Sequence, residues 1–150
     1  MNYSKLNKEL IIITGAGQGI GRHIAKNLDS KYDLLLISKT LNCKKTAKEI
    51  KATSFNNKNR MVEYQKINFE KKINLIPAAK KIKFKRFKKI HLILCAGMVD
   101  PDKGSYKNIN DWNKVFNVNL NSNIFLINYF SKFFNDKKKQ NKIIVFSGGG

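Results

Sequence analysis

An apolar run, Leu10-Ile11-Ile12-Ile13, breaks directly into Thr14-Gly15-Ala16-Gly17-Gln18-Gly19-Ile20-Gly21, and then into the helical spacing of Ile20, Ile24, Ala25 and Leu28. A strand that ends in glycines and feeds a helix N-terminus gathers free backbone N–H groups and the positive end of a helix dipole at one point. Gly15, Gly19 and Gly21 carry no side chain that would hold an anion away from that point. The stretch therefore points to a βα unit and, beyond it, to a phosphate cradle. An ordinary βα turn can look similar, and a glycine pattern by itself is a weak signal. The rest of the chain has to decide.

Strand and helix patterns alternate along the whole sequence. Strands are expected at Glu9–Thr14, Asp33–Ser38, Met61–Ile67, Ile90–Cys95 and Lys142–Ser147, and helices at Gly19–Asp29, Leu41–Ala52, Leu75–Phe87 and Asp111–Phe134. The strands are short β-branched or leucine runs without strict alternation, as when both faces of a parallel sheet are covered. Ile82, Phe84 and Phe87 interrupt the basic run Lys80–Lys89 at a spacing that suits one face of an amphipathic helix with a solvated opposite side. In the last helix, Trp112, Val115, Phe116, Ile124, Ile127, Phe130 and Phe134 can line a core face, while Val118, Phe125 and Tyr129 fall on another. A helix apolar on two sides wants a second partner, and a homo-oligomer through 111–134 is expected.

At 150 residues, 42% of them hydrophobic, the chain is expected to form a single domain over 1–150 with a substantial core. Its net charge of +20 invites a nucleic-acid or anionic-membrane partner. All but Arg22, Arg60 and Arg86 of the 30 basic residues are lysine, however, and asparagine, isoleucine and phenylalanine, which share A/T-rich codons with lysine, are also abundant. A selected nucleic-acid site favours arginine for its bidentate fork, so a compositional bias is the preferred account, with no specific nucleic acid expected. Cys43 and Cys95 give neither a disulfide framework nor metal spacing. Cys95, at a strand end, reads as a small apolar filler. His23 and His91 are far apart with no ligand set nearby, so no metal is expected. With no transmembrane-length segment and no signal-peptide pattern after Met1, the expected location is cytoplasmic, with no membrane partner.

Read as Thr-Gly-x-x-x-Gly-x-Gly, the turn resembles the short-chain dehydrogenase/reductase family. Leu94-Cys95-Ala96-Gly97 stands where the family has Asn-Asn-Ala-Gly. Asp111-Trp112 and Val118-Asn119-Leu120 match the start of its long helix and the internal asparagine, and Ile143-Ile144-Val145-Phe146-Ser147 matches the strand that leads to its active-site serine. The resemblance implies a Rossmann-like α/β fold, a doubly wound parallel sheet of order 3-2-1-4-5, incomplete at the C-terminus, with its crevice between strands 1 and 4. It implies a nicotinamide cofactor held by Gly15, Gln18, Gly19, Ile20, Gly21, Ser38, Lys39, Asn68, Phe69, Ala96, Gly97 and Asn119. The end of strand 2 selects the cofactor, an acidic residue there binding the ribose hydroxyls of NAD and a basic one the 2′-phosphate of NADP. Ser38-Lys39 offers a hydroxyl and a cation and no carboxylate, so NADP(H) is expected to be favoured over NAD(H). Asn68 replaces an aspartate that touches the adenine ring, and an amide can still donate or accept there.

The implied reaction transfers hydride between nicotinamide and a carbonyl or alcohol carbon of a small-molecule substrate, with a tyrosine and a lysine four residues later as the acid/base pair. Asn119 matches the relay asparagine. Ser147 falls one residue before the place of the catalytic serine, which Gly148 holds. All five tyrosines, Tyr3, Tyr32, Tyr64, Tyr106 and Tyr129, precede strand 5, whereas the family's Tyr-x-x-x-Lys follows it. The expectation is a partial sequence, the cofactor half of an oxidoreductase, inactive alone. A non-catalytic nucleotide-binding or regulatory protein on the same scaffold, a sugar-nucleotide epimerase or dehydratase, and a nucleic-acid-associated protein are the alternatives.

Overall fold

The computed structural model describes residues 8–53, 59–71, 73, 75, 80, 82–98, 108–134 and 140–146. Strands β1 (Glu9–Thr14), β2 (Asp33–Ser38), β3 (Val62–Lys66), β4 (Lys89–Leu94) and β5 (Ile143–Val145) form one parallel sheet of order β3-β2-β1-β4-β5. Helix α1 (Gly19–Asn27) connects β1 to β2 and α2 (Asn42–Thr53) connects β2 to β3. Helices α3 (Ile109–Phe116) and α4 (Ser122–Ser131), joined by a π turn at Asn117–Asn121, lie between β4 and β5. This is the doubly wound, Rossmann-like order. The chain leaves β1 toward β2 on one side and returns at β4 on the other, so a crevice opens above the carboxyl ends of β1 and β4.

Register explains the two cores. Ile12 sits beside Leu35 and Leu92, and all three point to the face that also holds Leu10, Ile37, Ile90 and Leu94. Val118, Leu126 and Phe130 cover that face from the α3–α4 rod, with Phe84 edge-on to Phe130 at 5.2 Å between ring centres. The alternate residues Ile11, Ile13, Leu34, Leu36 and Ile93 pack under Ala25 of α1 and Cys43, Ala47 and Ile50 of α2. Full burial of one such Leu or Ile contributes about 1.5–3 kcal/mol. Arg22 and Lys26 of α1 both reach Glu49 of α2, at 2.6 and 3.2 Å, and hold the two helices side by side.

Two helix expectations need correction. The described part of 75–87 is not one helix: Lys80 is helical, Ile82 and Lys83 are not, and Phe84–Arg86 is a single 3-10 turn. Ile82, Phe84 and Phe87 nevertheless all enter the core, which this tighter turn with extended flanks achieves as well as a helix face would. The 111–134 segment runs as helix from Ile109 to Ser131 and contains the π turn. Its buried row is Val118, Ser122, Leu126 and Phe130, whereas Trp112, Phe116 and Ile124, expected inward, are exposed together with Leu120. The wider π turn shifts the phase of everything after it, so one unbroken helical period cannot place both halves. No described helix is long and apolar enough to cross a membrane.

Candidate functional site

The turn after β1 is fixed by backbone contacts on both sides. Gly15 has φ +67°, and a Cβ there would lie 2.7 Å from the Cys95 carbonyl oxygen, so the turn can pass this close to the end of β4 only as glycine. At Gly21 a Cβ would meet the Gly15 carbonyl oxygen at 2.7 Å, which lets α1 begin directly under the turn. The Thr14 hydroxyl accepts a hydrogen bond from the Ala96 N–H at 3.0 Å, and the Ala16 N–H donates to the Ile37 carbonyl at 3.1 Å. The turn, β2 and the segment after β4 are thereby locked together.

The N-terminus of α1 is left open. Gln18 stands at the cap with extended backbone and makes no side-chain cap hydrogen bond, and the first turn contains no acidic residue. Its free N–H groups and positive dipole end face the crevice without an internal counter-charge, as a bound anion requires.

A cleft of about 530 Å³ lies above this helix end, within the range of small-molecule and cofactor sites. Gly15, Gln18, Gly19, Ile20 and Gly21 form its floor, Ser38, Lys39, Asn68 and Phe69 one wall, and Ala96 and Gly97 the other. The structure thus brings eleven sequence-singled residues to one place. Asn119, the twelfth, sits just behind: its Oδ1 accepts from the Met98 N–H at 2.7 Å and its Nδ2 donates to the Met98 carbonyl at 2.9 Å. It braces the loop after β4 rather than lining the cleft. Ser147 lies outside the described residues.

The walls hold details that the sequence does not show. The Ser38 hydroxyl donates to the Thr40 carbonyl at 2.6 Å, so its proton is already engaged. Lys39 forms an ion pair with Glu70, which also lines the cleft, so a carboxylate does reach the end of β2, supplied from the turn after β3. The hydrogen bond from Lys39 holds the Glu70 carboxyl below the usual carboxylate range, with burial opposing. Asn68 Oδ1 accepts from the Glu70 N–H at 3.0 Å, which fixes the turn after β3. Cys95 packs against the core under α1 and α2, as a filler would, and also reaches the cleft, and burial pushes its thiol up to about 11. Asn123 is buried beside the π turn and donates from Nδ2 to the Asn119 carbonyl at 2.9 Å. Only a polar residue at a core position hinted at it.

The sequence model of the short chain dehydrogenase family matches residues 9–150. No curated protein matches the sequence significantly. Among solved structures, a short-chain type dehydrogenase/reductase from Mycobacterium ulcerans superposes with a TM-score of 0.62 at 16% identity, over 84% of this chain and 46% of its own. An NADPH dependent reductase involved in bacilysin biosynthesis gives 0.65 at 23% identity, over 83% of this chain and 51% of its own. A blue fluorescent protein from a metagenomic library, solved in complex with NADPH, gives 0.67 at 17% identity, over 89% and 54%. The chain therefore spans about half the length of the structures it matches.

Proposed function

Because the chain belongs to the short chain dehydrogenase family, we propose that it builds the cofactor-binding half of an oxidoreductase that moves hydride between a nicotinamide dinucleotide and a carbonyl or alcohol carbon. The observation that carries this reading is the open N-terminus of α1, which Gly21 lets begin directly under a turn that Gly15, lacking a side chain, lets pass against the end of β4. The dinucleotide, when bound, supplies the hydride. The Gly15–Gly21 turn and the α1 N–H groups hold its pyrophosphate, and Gly97, with no side chain, leaves room for the ribose. Asn68 and Phe69 border the adenine. Asn119 positions the loop at Met98 and is a positioning residue in this chain, since both ends of its side chain and its carbonyl are engaged. The family's tyrosine and lysine follow strand 5, and the substrate pocket goes with them.

Lys39 at the rim supports NADP(H) as the favoured cofactor, its ammonium lying beside the β2 end where a 2′-phosphate would sit. The tests are fluorescence titrations with NADPH and NADH. Tighter binding of NADPH is expected, and equal or tighter affinity for NADH would overturn the preference. An in-frame Tyr-x-x-x-Lys after Gly150 would secure the reaction class.

The exposed row Trp112, Phe116, Leu120 and Ile124 along α3, the π turn and α4 supports self-association through this rod. Light scattering at micromolar concentration should give a multiple of the chain mass, and a monomer would contradict it.

A further inference from the structure

The rim of the cleft is built by two neighbouring strands. Ser38 of β2 pairs in register with Lys66 of β3, and the Ile67 N–H donates to the Ser38 carbonyl at 2.9 Å, so the turn Asn68-Phe69-Glu70 is carried across the end of β2. Asn68 fixes that turn through the Glu70 N–H at 3.0 Å. The result is an ion pair whose partners differ in freedom: the Glu70 side chain is 18% exposed and the Lys39 side chain 61%. The carboxylate is the anchored member, and the ammonium is the one that can swing away.

The pair sits where the two nicotinamide dinucleotides differ. A ribose 2′-hydroxyl is a donor and seeks a carboxylate, whereas a 2′-phosphate is an anion that a carboxylate repels and an ammonium attracts. With Lys39 held by Glu70, the formal charges of the pair cancel, and much of the attraction that Lys39 alone would exert on a phosphate is offset.

We propose that Glu70 sets the cofactor choice of this site, supplying from the turn after β3 the carboxylate that the end of β2 lacks and holding Lys39 back from the 2′-phosphate. The proposal rests on the reading of the cleft as a dinucleotide site and deepens it. With NADP(H) bound, Lys39 leaves Glu70 for the phosphate. With NAD(H) bound, the pair persists and Glu70 accepts from the ribose hydroxyls. The preference for NADP(H) that Lys39 supports is therefore narrower than the cation alone would make it.

The test compares NADPH and NADH affinities by fluorescence titration of the intact protein in its wild-type, E70Q and E70D forms at low salt. E70Q should raise the NADPH-over-NADH affinity ratio by about tenfold, the order expected for removing one like charge near a partly exposed phosphate. E70D keeps the charge and should stay near the wild-type ratio. The gap between E70Q and wild type should narrow in high salt, where the interaction is screened. Melting curves run alongside, and if E70Q does not fold, E70S carries the same expectation. A ratio that is unchanged, or that falls, while both dinucleotides still bind would overturn the role of Glu70 and leave the cleft assignment standing. A folded wild-type protein that binds neither dinucleotide would overturn the cleft assignment, and the proposal with it.

Discussion

A methyl group added at Gly21 and one added at Gly19 would meet different surroundings. At Gly21 the new Cβ lies 2.7 Å from the Gly15 carbonyl oxygen, whereas at Gly19 nothing lies within 4 Å and only the φ of +54° opposes a side chain. Gly21→Ala should therefore cost about 1–3 kcal/mol by overpacking and abolish dinucleotide binding, because α1 must move away from the turn. Gly19→Ala should cost only about 1–2 kcal/mol for the left-handed backbone and keep most of the binding. Thermal melts and NADPH titrations of both variants decide this, and equal losses would contradict it. Far from the cleft, burial pushes the Glu9 carboxyl up, but hydrogen bonds from His91 and Lys89 outweigh burial and leave it below its ordinary value. Its contribution to stability is thus fully present above the ordinary carboxylate value and is lost as the pH falls through the lower folded value. Glu9→Gln should destabilise the protein at neutral pH and match wild type in strong acid. A difference that is the same at every pH would contradict the sign.

The α3–α4 rod shows how an element is tied to the cleft without lining it. Asn119→Ala removes two hydrogen bonds to Met98 and should cost about 1–2 kcal/mol, while loosening the loop of Ala96 and Gly97 and weakening NADPH binding. An unchanged melting temperature would contradict the bracing role. The elements differ in how legible they were. β1 and β2 were readable to the residue, since Leu10–Ile13 and Leu34–Ile37 are unbroken apolar runs ended by turn formers. Ile82, Phe84 and Phe87 lie at intervals that a helix face and a 3-10 turn satisfy equally, and burial alone does not separate them. The π turn adds width that no periodic reading of 111–134 can carry, so Trp112, Phe116 and Ile124 turn outward while Ile127, Phe130 and Phe134 of the expected row do pack on the core. Glu70 stayed hidden for another reason. Its meeting with Lys39 is made by the pairing of β2 with β3, thirty-one residues apart in the chain.

The order β3-β2-β1-β4-β5 gives the molecule its cleft. It sets the β1 turn and the β4 end side by side at the point where the winding reverses, with one core under α1 and α2 and the other under the α3–α4 rod on either face of the sheet below it. Residues scattered from Gly15 to Gly97 thereby share one cleft, as the glycine turn and Ala96-Gly97 together implied. The net charge of +20 should draw anionic ligands to the molecule, an effect that weakens as salt screens the field. On the proposed reading, the open end of α1 beneath this turn holds the pyrophosphate of a nicotinamide dinucleotide. Isothermal calorimetry of NADPH into the wild-type protein and into Gly21→Ala tests it most directly. Saturable one-site binding to wild type, lost in Gly21→Ala, is expected, whereas no heat of binding to a folded wild-type protein, or equal binding by both, would overturn the assignment.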